Sequence, residues 1–393
     1  MSEISAIAVS AAVLAAAQGA TLAVIAGRLL PGRRRQPPVR PIIRPAEAGA
    51  VSVVVPARNE ARRIGGCLAG LGAQDATMAE ALIVDGGSTD GTREIVRAAA
   101  AGDRRFRLLD EPPLPNGMVG RPWAIAAGAR AATAKWVLVV DADASPRPGM
   151  VGAVVAAADA NGYDSVSFAP RIFAPGAGAR WLQASFVITL VYRFGAAGAD
   201  VARPERVIAN GQCQLIRRTA LESVGGYVSV AGSFCDDVAI ARRLAANGAR
   251  VGFLDGSEIV DVLMYPTARE SWRAWPRSLN MRDVTPRAWR ALDAIVLLLG
   301  QALPLPLLVA LALMRGRGVA GAAVIPVIAL ATVNAMLLGL RLLLAAGTAR
   351  SFEPRGAAFW LSPLADPAAA LRVVATMFTR PREWRGARSE RGA

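Results

Sequence analysis

Hydrophobic and polar positions divide the chain into apolar ends and an alternating middle. Residues 4–30 carry no charge until Arg28, a run long enough to cross a bilayer as a helix. Only Glu3 is charged before it, whereas the shorter core of a cleaved signal peptide would follow basic residues. Two late stretches, 291–314 and 319–346, flank the basic turn Arg315-Gly316-Arg317-Gly318 and predict a helical hairpin in the membrane, a buried hairpin in a soluble protein being the alternative. Residues 31–50 hold prolines and arginines without periodicity and read as an extended linker near lipid headgroups. Residues 347–393 read as an amphipathic basic tail.

Within 51–290, short apolar runs alternate with amphipathic ones. VSVVVPARNE predicts a strand entering a loop, ARRIGGCLAGL a helix, ALIVDGGSTDGT a strand ending in a glycine-rich turn, and TREIVRAAAA a second helix. FRLLD, PWAIAAGARAAT and the strand at 136–140 continue the series, which predicts an α/β domain with a parallel, doubly wound sheet. NGQCQLIRRTALESVGGY predicts a strand, a short helix and a Gly-Gly turn. SFCDDVAIARRLAANG has apolar residues at helical spacing behind Asp236 and Asp237, where carboxylates also favour a helix N-terminus on electrostatic grounds alone. The stretch 179–195 reads as a buried helix or as part of an acceptor entrance through Phe186 and Tyr192.

Composition sharpens this picture. Over 393 residues, 53% hydrophobic, the mean hydropathy is positive, as expected of a soluble domain with membrane segments attached. The net charge of +15 is almost wholly arginine, Lys135 being the single lysine. Arg33, Arg34 and Arg35, then Arg282, Arg287 and Arg290, then Arg350 and Arg355 crowd the ends of the apolar runs, which favours anionic headgroups over nucleic acid as the partner. The same asymmetry places the middle domain in the cytoplasm of a multi-pass inner-membrane protein, with Arg315 and Arg317 counting against that orientation. The three cysteines are odd in number and far apart, which fits a reducing compartment. With no histidine, Ser-His-Asp triads and imidazole chemistry are excluded, so catalysis must rest on carboxylates.

The candidate carboxylates sit in VLVVDADASP. An apolar run there ends in Asp141 and Asp143, at the strand edge where open α/β sheets bind ligands. Such a pair can hold a divalent cation against phosphate oxygens, and equally serves as a turn former.

Taken in order, VSVVVPARNE, VDGGSTDGT, VVDADASP, NGQ and CDDVAIARRLAANGARV resemble the family 2 glycosyltransferases, inverting enzymes of the GT-A fold that use nucleotide-diphosphate sugars. GMVGRPWAIAAGARAA, NGQ and the tail motif WRGAR resemble membrane-anchored members associated with hopanoid and carotenoid biosynthesis. The resemblance implies that Pro56, Ala57, Arg58, Glu60 and Asp85 face the nucleotide, with Gly86 where relatives often carry a second aspartate. It implies a diphosphate contact at Arg121, where relatives carry lysine, and donor contacts at Asn210, Gly211, Gln212, Trp275 and Arg277. Asp143, with Asp141 steadying the ion or the ribose, would bind Mg2+ or Mn2+. Asp237 would be the general base, Asp236 being the alternative. The processive Gln-x-x-Arg-Trp signature is absent, which implies transfer of a single sugar, from a UDP- or GDP-linked donor to a lipid or isoprenoid acceptor. A non-catalytic membrane scaffold that kept the nucleotide-sugar fold is the competing expectation. An NAD-linked dehydrogenase is disfavoured, since PARNEA stands where a Gly-x-Gly-x-x-Gly turn would be needed.

Overall fold

The computed structural model describes residues 3–43, 47–201, 203–314, 321–379, 383–384 and 387–388. The chain forms two units, one α/β (34–173, 197–264 and 380–393) and one helical (1–33, 174–196 and 265–379).

The strands of the α/β unit are β1 (Val51–Ala57), β2 (Met78–Asp85), β3 (Phe106–Asp110), β4 (Trp136–Val140), β5 (Ala144–Pro146), β6 (Ser165–Ala169), β7 (Arg171–Phe173), β8 (Cys213–Arg217), β9 (Val251–Asp255) and β10 (Val260–Leu263). Seven of them form one sheet in the order β3-β2-β1-β4-β8-β6-β9. Every residue of β1 and β4 is buried, as valine-rich strands covered on both faces require. Gly128 marks a close approach of the helix Gly120–Ala131 to β1, because a Cβ there would strike Val54.

The sheet is mixed, which corrects the expectation of a parallel one. β1, β2, β3 and β4 run parallel, but β8 is antiparallel to both β4 and β6. This reversal has a direct consequence for the site. Val140 pairs with Cys213, so the residues preceding β8 emerge beside those following β4. Residues 210–212 therefore reach the same edge as Asp141 because β8 runs backwards. β10 pairs with β5 and β7 in a smaller sheet, where Arg147 and Arg171 both bind Asp261.

In the helical unit, two helices are long and apolar enough to cross a membrane, within Ile4–Arg34 and Gly321–Ser351. The expected first limb of the hairpin is not one straight helix. Arg287–Ala302 and Pro304–Met314 meet at 42°, and they make a third span only if the bent pair counts as one. Pro304 and Pro306 remove amide donors here, and the preceding Leu298–Ala302 segment widens into a π-helical turn. The basic turn at 315–318 lies outside the described residues, as does Arg385 and Gly386 of the WRGAR motif.

The helix Ala177–Phe194 buries both Phe186 and Tyr192, so neither side chain forms an exposed entrance. Phe186 stacks on Trp275 with ring centroids 5.3 Å apart. Polar groups tie this unit together internally. Arg341 binds Asp366 at 2.7 Å, and Ser185 and Gln301 donate to the same carboxylate. Arg28 and Arg193 share Asp293, while the amides of Gln18 and Asn334 bond each other reciprocally at 2.8 and 2.7 Å.

Candidate active site

Parallel register brings the ends of β1, β2, β3 and β4 to one edge. Ala57 lies opposite Asp85, and Asp85 opposite Asp110, so the loops that follow begin level with one another. The first two loops are interlocked. The Asn59 amide donates to Ser88 and its side chain accepts from the Thr89 amide. The Glu60 amide donates to Thr92, and the Ala61 amide to Asp90. Asn59 holds φ at +53°, a left-handed conformation that asparagine tolerates better than most residues. Much of GGSTDGT thus serves to clamp the PARNE loop, a role the motif alone does not reveal.

Asp85 is buried at the end of β2. Its Oδ2 accepts from the amides of Gly87 and Ser88 and from Arg93, while Oδ1 meets no hydrogen-bond donor among the described residues. Beside it stands Glu111, one residue beyond β3 and not foreseen from sequence. Its amide donates to the Asp85 carbonyl at 3.0 Å, and its Oε1 is likewise buried without a donor among the described residues. Gly86 makes room for it, since a Cβ at that position would stand 2.7 Å from Glu111 Oε2.

Arg121, in the first turn of the helix Gly120–Ala131, is the hub of the second half of the site. Its guanidinium donates twice to Asp141 Oδ1, at 3.0 and 2.8 Å, once to the Gly211 carbonyl at 2.9 Å, and once to Asp236. These partners hold its charge firmly, pushing its pKa up against the effect of burial. Glycine at position 211 leaves room for the guanidinium, since a Cβ there would strike Arg121 Nη2 and displace it from this geometry. The Gly211 amide donates to Asp237 Oδ2 at 2.8 Å, and the Val238 amide donates to Asp237 Oδ1 at 2.8 Å. Asn210 and Gln212 bond each other, which closes the turn that presents Gly211. The Val119 amide bonds the Ala231 carbonyl at 2.7 Å, fastening the Arg121 helix to the segment that leads into Asp236.

The two acidic residues that open the helix Asp236–Ala246 therefore differ. Asp236 is buried and paired with Arg121, whereas Asp237 is partly exposed and held by backbone amides. Burial raises the pKa of both, outweighing the pull of Arg121.

Asp141 and Asp143 follow β4, with Arg63 lying 3.6 Å from Asp143 and 2.9 Å from Glu60. The buried Cys67 thiol is pushed up first by desolvation and then by the charges of Asp143, Asp141 and Glu60, so negative potential converges at this point. Among the described residues no three His, Cys, Asp or Glu side chains gather as a cation cage. An all-oxygen pair of carboxylates nonetheless suits Mg2+ or Mn2+, which take one or two carboxylates and complete their shell with substrate phosphates and water.

The structure brings Pro56, Ala57, Arg58, Glu60 and Asp85 to one part of this edge, and Arg121, Asp141, Asn210, Gly211, Gln212, Asp236 and Asp237 to another. Trp275 belongs to the helical unit, packed on Phe186, and the side chain of Arg277 lies outside the described residues.

Comparison with known proteins agrees with this architecture. The chain is 29% identical over 221 residues to the succinoglycan biosynthesis protein ExoA of Rhizobium meliloti (strain 1021), a match covering 55% of this chain and 63% of that protein. The chain thus spans less than two thirds of the length of that curated relative. Its fold resembles the mannosyltransferase PcManGT from Pyrobaculum calidifontis, solved in complex with GDP-Man and Mn2+, with a TM-score of 0.53, 22% identity and coverage of 93% of this chain and 99% of that one. The family model described as Glycosyl transferase family 2 matches residues 52–225, the segment that carries most of the site, and the likeness to the solved structure shows a GT-A-like fold.

Proposed function

We propose that the chain is an inverting glycosyltransferase that moves one sugar from a nucleotide-diphosphate sugar to a lipid or isoprenoid-type acceptor at the cytoplasmic face of the inner membrane. The observation that carries the reading is the Asp237 carboxylate, oriented by the Gly211 and Val238 amides beside the Arg121–Asp141 pair. Inversion requires a base on the face of the sugar opposite the leaving group, and a base works best when its pKa approaches the operating pH. Burial moves Asp237 in that direction. Asp236 is the poorer candidate because Arg121 already claims its charge.

Asp85 and the loop after β1 would receive the nucleoside, and Arg121 would set Asp141 toward the diphosphate. A Mg2+ or Mn2+ ion held by Asp143 and Asp141 would supply charge neutralisation for the departing nucleotide. The lipid acceptor is supported by the two apolar helices and by the arginines that flank the apolar runs.

The test is nucleotide release from a panel of UDP- and GDP-sugars by detergent-solubilised protein with Mn2+, with and without extracted membrane lipids, comparing wild type with Asp143→Ala. Release that depends on lipid and vanishes in the variant is the expected outcome. Nucleotide binding without turnover of any donor would instead make the chain a scaffold.

A further inference from the structure

We propose that Asp85, Glu111 and Arg58 form a nucleobase subsite that selects guanine, so that the donor is a GDP-sugar. The inference rests on the glycosyltransferase reading and adds to it the identity of the nucleotide.

Two buried carboxylate oxygens, Asp85 Oδ1 and Glu111 Oε1, meet no donor among the described residues. Buried acceptors of this kind are costly unless a ligand supplies N–H groups. They belong to neighbouring residues, because the Glu111 amide donates to the Asp85 carbonyl and the two side-chain charges are close enough to repel. Arg58 closes the group, its Cβ lying 3.6 Å from where a Cβ at position 86 would be. The subsite therefore holds two carboxylates with the Arg58 charge near enough to act on Glu111.

Guanine presents the complementary edge, with a carbonyl oxygen followed by the N1–H and the 2-amino group. Uracil presents a single N–H between two carbonyl oxygens, so a second ionised carboxylate would face a carbonyl and repel it. Cytosine and adenine each offer one amino donor beside a ring-nitrogen acceptor, which leaves one carboxylate unsatisfied. Glu111 thus stands in for the aspartate that Gly86 lacks, from a neighbouring strand and with different selectivity.

Charge on Glu111 depends on its surroundings. Burial raises its pKa to about 7, with Arg58 pulling it down and Asp85 pushing it further up. Arg93, which bridges Asp85 and Asp110, is a further cation beside the pair. The second acceptor is present above that pH and lost as pH falls through it.

The experiment is equilibrium binding of GDP, IDP and UDP to the full-length protein in detergent with Mn2+ at pH 8, repeated for Glu111→Gln and Glu111→Asp. IDP lacks only the 2-amino group. We expect wild type to prefer GDP over IDP by about 10-fold or more, and over UDP by at least as much, the scale of one unmade hydrogen bond to a buried charge. Glu111→Gln should bring GDP down to the IDP level while UDP binding holds or improves, and Glu111→Asp should retain part of the preference. Equal binding of GDP and IDP, tighter binding of UDP, or an unchanged preference in Glu111→Gln would overturn the assignment. UDP binding with turnover of a UDP-sugar would overturn guanine selection alone, whereas failure of folded protein to bind any nucleotide would overturn the glycosyltransferase reading with it.

Discussion

Each unit contains an arginine buried against carboxylates, and the two clusters differ in charge balance. In the helical unit, Arg341 meets one carboxylate, Asp366, and the hydroxyl of Ser362, while Ser185 and Gln301 donate to the same aspartate. In the α/β unit, Arg121 faces three carboxylates, Asp141, Asp236 and the nearby Asp237. A cluster balanced in charge needs no further ion to neutralise it. One with a surplus of carboxylates gains by drawing in a cation or a proton, which a transferase needs from its metal site and its base. Buried arginine-carboxylate pairs therefore do not by themselves mark a catalytic centre, and the charge excess around them is the better guide.

The comparison breaks first at Asp237. Asp237→Asn keeps the size of the side chain and removes the proposed base, so kcat should fall by about 10²- to 10⁴-fold while nucleotide affinity and thermal stability hold. A loss confined to KM would assign the base elsewhere, with Asp236→Asn the next variant to measure. In the balanced cluster the effect should be structural. Arg341→Met strands the Asp366 charge at a cost of about 3–5 kcal/mol, and Arg341→Met combined with Asp366→Leu should recover most of it, read from thermal unfolding in detergent. Failure of the double variant to recover would show that the pair is not an isolated charge balance.

The smallest effect is a pH limb. Because burial raises the Asp237 pKa, the deprotonated form that the proposed base requires is lost as pH falls through a value above the ordinary carboxylate range of about 4. The acidic limb of kcat/KM should therefore lie above that range in wild type. A limb at the ordinary position would mean that Asp237 is solvated during catalysis.

Much of this was legible in the sequence, for physical reasons that also mark where legibility stopped. The runs VSVVV, ALIV and WVLVV announce buried strands because both of their faces are covered. Asp85, Asp141 and the Asp236-Asp237 pair stand out because charge at the end of an apolar run or opening a helix is locally visible. Strand direction is not encoded by apolar periodicity, so the sequence does not show the reversal of β8, although the NGQ segment stands out. The place of Glu111 beside Asp85 is not legible from sequence because it depends on the pairing of β2 with β3 and on the missing side chain at Gly86, both nonlocal facts. The signal was present in the acidic pair of LLDEPP, which ends a strand as VVDAD does. The break before Pro304 was likewise signalled by two prolines inside an apolar run.

The reciprocal amide pair between Gln18 and Asn334 has a consequence in time as well as in space. Its members are 316 residues apart in the chain. At synthesis rates of about 5–20 residues per second, Gln18 emerges roughly 15 to 60 s before Asn334 exists to meet it. The first helix is made early, and its bond to Asn334 can close only after the helix within Gly321–Ser351 has been synthesised.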